Sequence, residues 1–140
     1  MRAATILTRI AFALVFAINV MCALQFAFDP ASYAGAYQLS GVAGEPAVRG
    51  IGIAFLMWNA TYPLFIFKPA EHLALGGIIL AQQAIGCIGE TVALLALPTQ
   101  GYELLASSIM RFIAFDAAGL VVMAIAYALL LRASRNQRRG

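Results

Sequence analysis

The sequence predicts an all-α integral membrane protein, a four-helix bundle running up-down-up-down with both termini cytoplasmic. Composition is the first of three observations behind this. Of 140 residues, 63% are hydrophobic and 11% charged, where soluble domains carry roughly 25% charged residues. Secondly, four apolar runs, 10–28, 47–67, 73–97 and 105–131, match the ~20 residues a helix needs to cross the hydrocarbon of a bilayer. Thirdly, Lys and Arg fall unevenly between the two faces those runs define. Arg2, Arg9, Lys68, Arg132, Arg135, Arg138 and Arg139 share one face, against Arg49 and Arg111 on the other. The positive-inside bias makes the richer face cytoplasmic. Spans and hairpins occupy nearly all of residues 1–140, so a single transmembrane domain is expected.

The first run, preceded by Arg2 and Arg9, resembles a secretory signal. It continues to Phe28, however, well past a typical ~7–15-residue signal core. The residues before Cys22 are Asn19, Val20 and Met21, which lack the small residue of a lipoprotein cleavage site. A retained first span follows, ended by Asp29-Pro30. Residues 31–45 form the longest connector, and Gly35, Gly41, Gly44, Tyr33 and Tyr37 suit a loop with its rings at headgroup level. Pro46 is expected to open the second span from a first-turn position. Lys68-Pro69-Ala70-Glu71-His72 reads as a tight inner hairpin in which Pro69 starts the third span. Residues 97–101, Leu-Pro-Thr-Gln-Gly, read as a tight outer hairpin. Short connectors imply antiparallel neighbours.

Small residues recur at four-residue spacing, as Ala13/Ala17, Ala23/Ala27, Gly50/Ala54, Gly77/Ala81 and Ala114/Ala118. In lipid such stripes let helix backbones approach closely, so they read as seams within the bundle or between copies. A faint repeat sets Cys22-Ala23-Leu24-Gln25 beside Cys87-Ile88-Gly89-Glu90, each followed by an arginine at similar distance, Arg49 and Arg111. It is compatible with a duplicated pair of spans.

Ionisable residues inside the apolar runs carry the functional question, because a charge at that depth is normally paired, turned inward or used. Helical rise puts Glu90 roughly 12 Å and Arg111 roughly 15 Å from the outer end of their spans. The matched depths predict a Glu90–Arg111 ion pair with charge-assisted hydrogen bonds. Gln83, Gly86, Cys87 and Glu90 fall on one helical stripe facing the interior. Asp116 lies about 140° round the helix from Arg111, off that pair's face, with Asn59 and Asn19 as its nearest partners by depth. Arg49 is expected to pair with Glu45 or reach the interface. This set either fixes helix register or lines a cavity that binds a polar head or relays protons.

Other signals are weaker. Trp58 and Tyr62, beside Asn59 and Pro63, fit a ring-stacking site, but membrane cores use aromatics freely. Asn59-Ala60-Thr61 has the form of a glycosylation acceptor but lies mid-span. His72 is the only histidine, which excludes bis-histidine haem. Cys22 and Cys87 lack Cys-x-x-Cys spacing. No nucleophile triad, zinc spacing or phosphate loop points to catalysis, a metal or a cofactor. The basic stretch 132–139 reads as a stop-transfer segment, so nucleic acid is not an expected partner.

Gly86, Gly89 and Glu90, followed by an apolar run 91–97 and a turn 98–101, resemble the DoxX-like group of small four-span membrane proteins. The likeness covers one span and the overall architecture. The chain differs in placing the glutamate in the third span and in lacking the glycine doublet after it. The resemblance implies a small integral membrane protein, tied in some members to quinol or thiol redox complexes. Three classes of function then stand. The first is a non-catalytic accessory subunit of a larger, respiratory or redox, membrane assembly. The second is a binder or carrier of a small amphipathic or anionic molecule, with quinone or lipid as candidates. The third is a proton-coupled oligomeric transporter. An enzyme has the least support. The expected partners are the bilayer and other membrane subunits or further copies, and the expected location is a prokaryotic inner (plasma) membrane.

Overall fold

The computed structural model describes residues 1–137. Among them there is no strand, and the chain runs through α1 (Arg2–Phe28), α2 (Ala31–Ala34), a 3-10 turn (Gly35–Tyr37), α3 (Gly41–Asn59), α4 (Tyr62–Phe67), α5 (Leu73–Leu95) and α6 (Glu103–Gln137). Four stretches are long and apolar enough to cross a membrane: Arg2–Phe28, Gly41–Phe67, Leu73–Leu95 and Glu103–Gln137. Bulky apolar side chains such as Ile10, Leu14, Ile85, Ile88, Leu95 and Ile125 point outward. In water that surface would be untenable, and in lipid it is the solvent-facing surface. Arg138 and Arg139, both expected on the cytoplasmic face, lie outside the described residues.

Helix ends depart from the apolar runs. α1 and α6 extend well beyond the hydrophobic stretches at the ends that carry Arg2, Arg9, Arg132 and Arg135, because a helix continues until something stops it. α5 stops at Leu95, ahead of Pro98. The connector 31–45 is not one open loop: α2 and the 3-10 turn fold it onto the bundle, and Tyr33 and Tyr37 pack their rings on Phe26. α3 begins at Gly41, so Pro46 sits inside the helix rather than opening it. Pro69 likewise starts no helix. It belongs to a turn in which the amides of Glu71 and His72 donate to the Lys68 carbonyl, and α5 begins at Leu73.

The second membrane segment loses its α-helical hydrogen bonding at residues 60–61, although the backbone of Ala60 and Thr61 stays right-handed helical. Pro63 has no amide hydrogen, and its ring crowds the carbonyl of residue 59, four positions earlier. α3 therefore ends at Asn59 and α4 restarts at Tyr62. The amide of Ala60 reaches back to the Met57 carbonyl (3.3 Å), and the Thr61 hydroxyl donates to that of Trp58 (3.2 Å), so the interruption is partly satisfied from within.

Long-range hydrogen bonds define which ends lie together. Arg9 Nη2 donates to the Phe67 carbonyl (2.6 Å), and Thr8 Oγ1 to that of Ala126 (3.1 Å). Arg2, Arg9, Lys68, Arg132 and Arg135 thus gather at one basic end. At the far end Gln38 Nε2 donates to the Gly101 carbonyl (2.7 Å), while Gln38 Oε1 accepts from the Leu105 amide (3.1 Å). Gln38 adopts a left-handed backbone, φ 53°, to do so, a conformation side chains rarely take. The Leu105 amide would otherwise lack a partner in the first turn of α6.

Two apolar cores result. Phe12, Tyr62, Phe65, Ile79, Met123 and Leu130 pack towards the basic end. Phe26, Ala34 and Val48, with Tyr37, Ile51 and Phe112, pack towards the far end. Only some of the small-residue stripes are seams. Gly52 lies against Ala23 and Ala27, and a Cβ there would come 2.7 Å from the Ala23 oxygen and the Ala27 nitrogen. Gly50 has open space, and Ala54, Ala81, Ala114 and Ala118 are exposed.

Gly52→Ala should therefore cost about 1–3 kcal/mol by overpacking against immovable backbone. Gly50→Ala, meeting nothing, should be neutral within about 0.5 kcal/mol. Thermal unfolding in detergent compares the two.

Candidate functional site

Between the two cores lies a cavity of about 160 Å³. An apolar cavity of roughly 150 Å³ holds a benzene ring, so there is room for one ring-sized group. α1 contributes Ile18, Asn19 and Cys22 to its wall, and α3 contributes Phe55, Trp58 and Asn59. Each set has one-turn spacing, so each is one helical face. α5 supplies only Gln83, and α6 supplies Arg111, Phe112, Phe115 and Asp116.

Asp116 is positioned by Gln83. The fully buried Gln83 donates from Nε2 to Asp116 Oδ1 at 2.8 Å, and its Oε1 accepts from the Tyr62 hydroxyl at 3.4 Å. Tyr62, Gln83 and Asp116 thus form one chain across α4, α5 and α6. The partner expected from depth alone was Asn59 or Asn19, and neither bonds Asp116. Gln83 wins because the α5–α6 register sets it level with Asp116. That register is fixed by Tyr127, whose hydroxyl donates to the Leu73 carbonyl at 2.8 Å. Tyr62 itself is a core residue, 0% exposed, and does not line the cavity.

Two buried polar atoms beside the cavity have no partner, Trp58 Nε1 and Asn59 Oδ1. Asn59 is 3% exposed, and its Nδ2 is already used, donating to the Phe55 carbonyl at 2.8 Å. A buried group left unsatisfied costs about 1–3 kcal/mol, and one donor and one acceptor are left so here. The Trp58 ring abuts Gly86, where a Cβ would come within 2.6 Å of its Cη2. Gly86 therefore sets how far Trp58 swings towards α5.

The expected Glu90–Arg111 pair is not formed. Among the described residues the ion pair present is Lys68–Glu71, at 3.0 Å on the surface. Matched depth did not mean matched direction. Arg111 projects into the cavity that α1 and α3 wall, and its Nη2 donates to Ser108 Oγ at 3.3 Å. Glu90 stays on α5 outside that cavity, with Oε2 buried and unpartnered. Asp116, expected on a different face from Arg111, shares the cavity with it because a long Arg side chain spans the angle.

The predicted stripe on α5 divides likewise. Gln83 reaches the cavity, Gly86 backs Trp58, and Cys87 is half-buried away from it, its carbonyl accepting from the Thr91 hydroxyl. Cys22 and Cys87, matched in the sequence repeat, are both free thiols, and only Cys22 lines the cavity. Arg49 is exposed and forms no ion pair with Glu45. Tyr37, in the connector, is pushed above the ordinary phenol range by burial first, then by Cys22 and Glu90, with Arg111 opposing. It stays a neutral phenol at ordinary pH. Among the described residues no group of three or more His, Cys, Asp or Glu gathers to hold a metal ion.

Sequence reasoning did not single out Phe55, Phe112, Phe115, Ile18 or Cys22 as cavity lining. The available signal was their four-residue spacing on faces that also carry Asn19, Asn59 or Asp116. In comparison with known proteins, no family model, no curated protein and no solved structure matches the chain.

Gln83→Met keeps the shape but strands both Asp116 and the Tyr62 hydroxyl. A loss of about 1–3 kcal/mol is expected, read as a lower thermal midpoint. In an Asp116→Leu background the same change should cost less, since one stranded group is already gone.

Proposed function

We propose that the protein binds, or carries within the bilayer, a small amphipathic molecule whose polar end occupies the cavity between α1, α3, α5 and α6. The observation that carries this reading is the pair of orphaned atoms, Trp58 Nε1 and Asn59 Oδ1, buried beside a cavity that also holds Asp116 and Arg111. Buried polar atoms are nearly always hydrogen-bonded, so a donor and an acceptor left open together suit a guest that satisfies both. One ring-sized compartment with aromatic walls accepts the head of such a molecule rather than a whole lipid.

The orientation that fits this reading is up-down-up-down, with the basic end cytoplasmic and the cavity reached from the far side. Single cysteines in a cysteine-free background test it. Arg2→Cys and Asn136→Cys should react with an impermeant maleimide only after the membrane is opened, and Thr99→Cys in intact cells.

The binding reading is tested by mild-detergent purification and mass spectrometry of the intact particle. A protein alone or self-associated, retaining a small organic mass, is the expected result. Cys22→Phe, which fills the cavity, should abolish that mass while leaving the particle folded. Fixed-ratio copurification of larger subunits with no retained small molecule would sink this reading and leave that of an accessory subunit.

A further inference from the structure

Arg111 and Asp116 line the same cavity with opposite charge, yet they do not pair. Each is restrained by a different neighbour, Arg111 by Ser108 Oγ at 3.3 Å and Asp116 by Gln83 Nε2 at 2.8 Å. Five residues of helix separate them, about 7.5 Å of axial rise. Asp116 is half-buried and Arg111 exposed, and with each held by its own neighbour the cavity presents two separate poles. The poles differ in what they offer. Arg111 has only donors. At the other pole, Asp116 has one carboxylate oxygen not engaged by Gln83, and Asn59, more than nine-tenths buried, offers the unpartnered acceptor Oδ1. Trp58 and Phe55 wall that pole, and their ring faces favour a cation.

Resting on the binding reading above, we propose that the polar end of the ligand is bipolar, with a protonated amine on Asp116 and Asn59 and a carboxylate or comparable anionic group on Arg111. A short chain or ring between the two charges fills the apolar middle of the cavity. Such a guest completes both restrained charges and the Asn59 acceptor in one step. A purely anionic guest would meet Asp116 uncompensated, and a purely cationic one would meet Arg111.

Trp58 is the only tryptophan of the chain and lines the cavity, so its emission reports occupancy directly. The purified protein is titrated with four probes of one carbon-chain length: 5-aminopentanoate, pentylamine, pentanoate and 1-pentanol. The aminopentanoate should saturate the emission change at a concentration at least tenfold below any other probe. Arg111→Gln should bring it down to the level of pentylamine, and Asp116→Asn to that of pentanoate. Cys22→Phe should abolish every response, with an unaltered circular dichroism spectrum confirming that each variant is folded. Equal or better saturation by pentylamine, pentanoate or pentanol overturns the inference, as does indifference of the aminopentanoate response to Arg111→Gln. If no probe alters the emission while the native particle still holds a small mass that Cys22→Phe removes, the bipolar ligand is wrong and the binding reading stands. If neither signal is found, both fail.

Discussion

In hydrocarbon, a backbone carbonyl deprived of its helical donor has only protein atoms to turn to, and Pro63 deprives Asn59 in this way. The break between α3 and α4 follows from that single missing hydrogen. Its effects reach the rest of the middle of the molecule. Trp58 and Asn59 occupy the final positions of α3, and both line the cavity. Tyr62, opening α4, fills the core of the basic end and sends its hydroxyl to Gln83.

The polar chain from Tyr62 through Gln83 to Asp116 converts that backbone defect into a fixed carboxylate. Gln83 suits the role because an amide donates from one atom and accepts at another, so it relays direction between hydroxyl and carboxylate. Burial makes the relay rigid, because an amide that rotated away would leave three polar groups unsatisfied at once. Arg111 is held more loosely, by one hydroxyl on its own helix. The two charges of the cavity are therefore held differently, one by a side chain of another helix and the other by a hydroxyl of its own helix.

Much of the scaffold was legible in the sequence, and particular residues show where legibility ended. Four apolar runs gave four membrane-length helices because hydropathy in lipid has few competing solutions. Asp29-Pro30 stopped α1 as expected. Proline position was less readable: Pro46 and Pro63 look alike in sequence, yet the first is absorbed near the start of α3 and the second breaks the segment. Arg111 and Asp116 stood out from charge and depth, Asn59 as a partner by depth and Gln83 from an interior stripe, whereas Glu90 and Arg49 were not separable from them. Depth follows from counting residues, but azimuth follows from packing, and packing depends on contacts such as Gly52 on Ala23 and Gly86 on Trp58 that no spacing rule reports.

The ties of Gln38 and Ser108 have a bearing on biosynthesis. Gln38 on the connector meets Gly101 and Leu105, and Ser108 donates to the Ala36 carbonyl, so both ties wait for the final helix. Thr8 likewise waits for Ala126. A nascent chain with three helices inserted has its first connector packed on Phe26 but without these ties, and the cavity lacks its fourth wall. The insertion machinery must therefore release or shelter an incomplete bundle until the last span arrives. Only then does the left-handed turn at Gln38 gain the hydrogen bonds to Gly101 and Leu105 that offset its backbone conformation.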